Sequence, residues 1–157
     1  MTDASPTVSN GKPVVGWREM VELPDLAGGR IPAKIDTGAR TSALHAEVLD
    51  IYERDGEEFV RFAIDFAPRK LKQVCEAIHV DRRSITSSNG EAEPRLIVKT
   101  PIRIGNVLFR AEFSLADRSD MIFPILVGRT ALKGRFLVDS GRSYLQSSAE
   151  ERKRILK

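Results

Sequence analysis

An acid placed where an apolar strand ends constrains this chain more than any other feature. Residues 31–36 read Ile-Pro-Ala-Lys-Ile-Asp, with Ile31, Ala33 and Ile35 alternating against Pro32 and Lys34. The run then breaks into Thr37-Gly38-Ala39-Arg40-Thr41-Ser42-Ala43-Leu44-His45. Period-two alternation predicts a strand with one buried face. A carboxylate at the end of such a strand is costly unless its surroundings satisfy it. Thr37 offers a hydroxyl that can lock neighbouring backbone, and Gly38 lets the chain approach closely or take a positive φ. Two readings fit: an ordinary strand-to-turn exit, or a loop built to present Asp36.

The rest of the chain supplies short strands to surround that loop. Val14–Leu23 is expected to form a first strand, followed by a turn at Pro24, Asp25 and Gly28-Gly29. Leu44–Ile51 and Phe59–Phe66 alternate about a hairpin turn at Arg54-Asp55-Gly56-Glu57. Leu71–Val80 is a further strand, and Ser84–Glu93, with Ser87-Ser88-Asn89-Gly90, a mobile loop. Arg95–Ile104 and Val107–Leu115 form a hairpin about Gly105-Asn106. Met121–Val127 is a strongly apolar strand ending at Gly128, Thr130–Lys133 a short helix and Phe136–Val138 a last strand. Hairpins dominate, so the expected class is mainly antiparallel β, a small barrel or sandwich with one short helix.

With 157 residues the chain fits one domain with its own core. Residues 1–12 are expected to be a disordered tail, 13–146 the folded domain and 147–157 a charged tail. No apolar run approaches a membrane span and the N-terminus lacks a signal-like apolar stretch, so no membrane partner is expected. The single cysteine, Cys75, excludes an internal disulfide and fits a cytoplasmic setting. Net charge is +3 with a pI near 9.2, compatible with acidic ligands but short of a nucleic-acid signature. The aromatic share is 6%, and no stacking surface for bases is legible.

Three segments together carry a resemblance: Ala33–His45, Ile125–Leu132 (Ile-Leu-Val-Gly-Arg-Thr-Ala-Leu), and Phe136–Leu145 with its Phe-Leu-Val-Asp and Ser-Tyr-Leu. They resemble the retropepsin-like aspartic proteases, and within these the bacterial and archaeal group labelled "putative ATP-dependent zinc protease" or RimK-associated protease. The resemblance spans Val14 to Leu145. It implies a mainly β, acid-protease closed barrel with one short helix. It also implies a site with Asp36 as catalytic acid/base, Thr37 and Gly38 as its loop scaffold, and Ala39 and Gly128 as structural support. Lys34, Arg40 and Arg129 would then face substrate.

Aspartic-protease chemistry needs two carboxylates sharing a proton across a bound water. Asp139-Ser140-Gly141 mimics a second triplet, but only 16 residues follow Gly141, too few for a second lobe. Asp139 is therefore expected to be a turn acid, and the second carboxylate to come from a homodimer in which two Asp36 loops meet. Arg40 departs from the retropepsin pattern. A guanidinium there would favour an ionised Asp36 and oppose proton sharing; alternatively it holds a substrate carboxylate bidentately, or is a solvated surface residue. No metal site and no cofactor are expected. His45, His79 and Cys75 form no recognised ligand pattern, and no Gly-x-x-x-x-Gly-Lys-Ser/Thr loop is present. Cys75, beside Glu76, is expected to be a buried structural thiol. The expected function is an aspartic-type peptidase that acts as a homodimer and hydrolyses peptide or amide bonds, with glutamate-rich tails added by a RimK-like ATP-grasp ligase as the candidate substrate that the resemblance implies. The rival is a catalytically silent peptide-binding or regulatory partner of that ligase.

Overall fold

A computed structural model describes residues 7–66, 71–86 and 89–156. Residues 1–6 of the expected tail, Ser87 and Ser88 of the expected loop, and Lys157 lie outside the described residues. In chain order the elements are β1 (Val8–Ser9), β2 (Lys12–Val15), β3 (Arg18–Leu23), β4 (Ala27–Asp36), β5 (Ser42–His45), β6 (Glu47–Arg54) and β7 (Glu57–Ile64). There follow β8 (Gln73–Thr86), β9 (Ala92–Ile104), β10 (Val107–Ala116), β11 (Ile125–Gly128), α1 (Arg129–Leu132), β12 (Leu137–Val138) and α2 (Ala149–Ile155). The chain is mainly β, as its alternation predicts.

Tight turns enforce the hairpins. Asp55 and Gly56 both take positive φ (54° and 80°), as do Asn10 and Gly11 (52° and 73°), the conformation that lets a two-residue turn match strand twist. The Asn10-Gly11 turn pairs β1 with β2 inside the stretch expected to be a tail. Nine strands form one sheet in the order β10-β5-β11-β4-β3-β9-β8-β7-β6, and β10 also pairs with β9. That extra pairing makes a closed circuit of β10, β5, β11, β4, β3 and β9, from which β8, β7 and β6 extend as a wing. Leu23, Ile31, Leu44, Ile102, Ile104, Phe113 and Ile125 are fully buried in the core. A second sheet, β1-β2-β12, holds the first and last strands together.

Three expectations are corrected. The strand expected over Val14–Leu23 is broken at Gly16, because the chain there passes too close to the segment after β12. A Cβ on Gly16 would sit 2.2 Å from the Arg142 carbonyl oxygen. Both ends of the loop expected over Ser84–Glu93 are strand, since Ser84, Ile85 and Thr86 pair with Pro94, Glu93 and Ala92. Among the described residues there are two helices where one was expected. In α2, Ser148 caps the N-terminus by accepting the Glu151 N–H, with Glu150 and Glu151 in the first turn and bases in the last. Arg30 of β4 grips Glu151 through Nε and a terminal nitrogen, docking the helix.

A buried carboxylate ties this end of the chain to the core. Glu19 is fully buried and accepts three backbone N–H groups, from Gly16 at 2.7 Å, Leu145 at 2.8 Å and Gln146 at 3.0 Å. Burial pushes its pKa above the usual carboxylate value, while those hydrogen bonds and Arg152 pull the other way. Raised folded-state pKa means that folding favours the protonated acid. Glu19 therefore costs stability at neutral pH, and that cost fades as pH falls through its folded value toward the ordinary one. Glu19→Gln removes the buried charge and with it that pH-dependent cost, so the stability of the variant relative to wild type should fall as pH drops from 7 toward 4. Denaturant titrations of both chains between pH 4 and 7 read the change.

Candidate functional site

Asp36 ends β4 beside the end of β11, with Gly128 its register partner in a parallel pair. The Asp36 carboxylate accepts the Gly38 N–H at 3.0 Å, and its carbonyl accepts the Ala39 N–H at 3.2 Å, so the chain curls around the acid. The strand after it is then pinned from the other side. The Arg129 N–H donates to the Ala39 carbonyl at 2.7 Å, the Thr130 hydroxyl to the Arg40 carbonyl at 2.9 Å, and the Arg129 guanidinium to the Thr37 carbonyl at 2.9 Å. Gly128 donates its N–H to the buried Ser42 hydroxyl at 2.9 Å. A Cβ on Gly128 would lie 2.8 Å from the Thr41 carbonyl carbon and 2.9 Å from the Ala39 oxygen, so no side chain fits there.

Asp36, Thr37, Gly38, Ala39, Gly128 and Arg129 are thus brought together. Thr37 and Gly38 are exposed and Asp36 is half-buried. Arg40 is exposed, and its guanidinium makes no hydrogen bond or ion pair among the described residues. Lys34, two residues before Asp36 and so on the same side of β4, is also exposed and unpaired among the described residues. Asp139 is apart in role: its carboxylate accepts the Gly141 N–H at 3.1 Å and closes a turn.

A cleft of about 460 Å³ opens beside the loop, with Gly38, Ala39, Arg40 and Thr41 on one wall and Asp81, Arg83, Ser84, Ile85 and Thr86 of β8 on the other. Arg83 is engaged, donating to Asp81 and to Glu112 on β10, both at 2.7 Å. Those hydrogen bonds, Glu112 first, raise its pKa, and the one from Arg83 holds the Asp81 carboxyl below its usual range. Arg118 supplies a further cation. Burial, then Arg95, lowers its pKa, with Asp120 and Asp36 opposing.

The second wall and Ser42 were not legible from the sequence as site elements. Arg83 meets Glu112 29 residues away, a pairing that no local spacing announces. Ser42 lies inside the Asp36 stretch, and a small hydroxyl residue opposite a strand-ending glycine is the one signal that pointed to it. His45 is structural in its contacts: its Nδ1 accepts the Arg118 N–H at 2.8 Å and its Nε2 faces Asp65 at 3.4 Å. Cys75 is buried against the Leu26 carbonyl, and burial raises its pKa. Among the described residues no group of three or more His, Cys, Asp or Glu side chains is placed to hold a metal, and no helix is long and apolar enough to cross a membrane.

An acid loop at the end of one strand, supported by a second strand ending in Gly-Arg and a short helix, defines the retropepsin-like class. A family model described as "RimB-like: Retropepsin-like aspartic endopeptidase RimB" matches residues 14–149, and the chain belongs to that family. Curated relatives carry another name. The chain is 37% identical over 139 residues to a "Probable alpha-L-glutamate ligase" of Shewanella pealeana, covering 87% of this chain and 30% of the relative. It is 33% identical over 130 residues to a protein of the same name from Desulfotalea psychrophila, covering 82% and 28%. The chain therefore spans about three tenths of the length of these relatives. A solved protein of unknown function from Legionella pneumophila, 24% identical, matches with a TM-score of 0.75 over 85% of this chain and 98% of its own, which shows the fold.

The relatives' names correct the expected function. They point to a glutamate ligase, so the expectation of an aspartic-type peptidase, a hydrolase trimming glutamate tails, is overturned. The family description keeps the word endopeptidase and conflicts with them on this point. The chemical reasoning behind that expectation rested on a proton shared between two aspartates. Within this chain Asp36 stands on a loop of its own, while Asp139 serves a turn.

Because the Gly128 N–H is buried against Ser42, Ser42→Ala should leave a buried donor unpaired. An expected loss of about 1–3 kcal/mol is read by chemical denaturation, with backbone amide shifts displaced through residues 36–42 and unmoved in α2.

Proposed function

We propose that this chain is a recognition domain of an alpha-L-glutamate ligase system, binding a glutamate-bearing polypeptide in the cleft beside Asp36. The observation that carries the reading is the exposed Arg40, a guanidinium with no partner among the described residues at the lip of a cleft. An unengaged, planar donor set suits a carboxylate, which it can take bidentately. The relatives' names supply the kind of carboxylate, L-glutamate, and the length they have beyond this chain leaves room for the ligating machinery. In this reading a RimK-like ATP-grasp ligase is the partner and the cytoplasm the setting.

The loop suits binding as well as it suits presentation of an acid. A peptide lying along the cleft offers N–H groups to the Asp36 carboxylate, and its acidic side chains go to Arg40, Lys34 and the outer face of Arg129. Without those cations Asp36 would repel a run of glutamates. The closed circuit of strands supports the inference of a barrel as the rigid frame for both walls.

The test compares binding of a glutamate-tailed peptide with that of an otherwise identical glutamine-tailed one, by calorimetry across a salt series. The glutamate tail should bind roughly 10–100-fold tighter, the equivalent of one charge-assisted contact of about 1.5–3 kcal/mol. The preference should weaken with salt and disappear in Arg40→Ala. Equal binding of the two tails, or a preference indifferent to Arg40, sinks the proposal.

A further inference from the structure

The β8 wall of the cleft is an arm with a built-in hinge. β8 pairs with β7 only as far as Ile78. A register shift then falls between His79 and Asp81, and from Asp81 to Thr86 the strand pairs with β9 alone. β9 in turn meets β10 only from Ile97 onward. Residues 81–86 and 92–96 therefore form a two-stranded ribbon, which is marginally stable by itself and takes its position from contacts at its root. The bulge residue Val80 is the natural flexing point.

Two contacts hold the root. One is the Arg83 bridge between Asp81 and Glu112. The other is His79, whose ring is almost wholly buried at the bulge. Its Nε2 lies 2.9 Å from the Asp81 carbonyl, and its Nδ1 meets the Glu58 carboxylate of β7. A carbonyl only accepts, so Nε2 must carry a proton. A carboxylate also only accepts, so Nδ1 must carry one too. The pair of bonds is complete with an imidazolium, or with the same proton resting on Glu58. A neutral ring beside an ionised Glu58 leaves one lone pair facing an oxygen, the Glu58 carboxylate in one tautomer and the Asp81 carbonyl in the other.

We propose that the His79–Glu58 pair is a proton-operated latch that fixes the β8–β9 arm over the cleft while its shared proton is bound and frees the arm when that proton is lost. The other charges facing the ring do not replace the missing proton. Asp81 is occupied by Arg83 and the Arg82 N–H. Glu53 of β6 lies across from Glu58 and adds negative charge. Lys99 of β9 stands beside Val98, the register partner of His79, on the opposite side of the strand pleat. The latch is stabilising while the shared proton is bound and is lost once it leaves.

The test is amide hydrogen exchange at pH 5.5 and 8.0, expressed as protection factors so that the intrinsic pH dependence of exchange cancels. In the wild-type chain, protection of the arm (residues 81–86 and 92–96) should fall about tenfold between the two, while protection of β11 stays level. Glu58→Gln should keep the arm protected at both pH values, because an amide can donate to a neutral Nδ1 or accept from a protonated one. His79→Phe should leave it poorly protected at both. Arm protection that ignores pH, that changes identically in Glu58→Gln, or that falls together with β11 overturns the proposal.

Discussion

Gly128 is where this fold has least room. The end of β11, the strand it pairs with and the chain returning from Asp36 meet there closer than a methyl group would allow. The contact does two things at once. It lets the Gly128 N–H reach the Ser42 hydroxyl, and it brings the first turn of α1 near enough to bind the Ala39 and Arg40 carbonyls. The loop that presents Asp36 is short of regular pairing of its own, so its shape is imposed from across the sheet. A side chain at residue 128 would not simply crowd the core; it would remove the template on which residues 37–42 are cast.

That dependence explains what was legible beforehand. The two segments that meet at Gly128 stand out in the sequence, one as an acid ending an apolar strand and the other as an apolar strand ending in glycine. Hairpin turns at Asp55-Gly56 and Gly105 were readable because positive φ restricts the residues that occur there. The features that escaped have partners far along the chain. Glu19 looks like an ordinary polar residue of an alternating strand, and only the folded chain shows it receiving N–H groups from Leu145 and Gln146. α2 reads as a solvated charge run until Arg30 finds Glu151. Residues 84–86 read as loop because their composition is polar, whereas exposure on a projecting ribbon, and not irregular backbone, explains that composition.

The same point bears on function. The sequence shows a carboxylate presented on a loop, and presentation alone does not distinguish a group that exchanges protons from one that holds a ligand's N–H. The peptidase expectation came from assuming the first. Arg40 and Lys34, both unpartnered among the described residues, make the neighbourhood of Asp36 one of mixed charge, which suits a ligand carrying both peptide N–H groups and carboxylates.

The buried carboxylate of Glu19 has a topological consequence. Gln146, one of its donors, also gives its side-chain N–H groups to the Thr7 and Val14 carbonyls, and the Thr7 hydroxyl reaches the Leu145 carbonyl. Thr7 and Val14 near the start of the described residues are thus laced to Leu145 and Gln146 around one acid, and the path into the domain lies beside the path out. A unit with adjoining entry and exit can hang from a longer polypeptide as a pendant, joined on a single side and carrying no tension across its core.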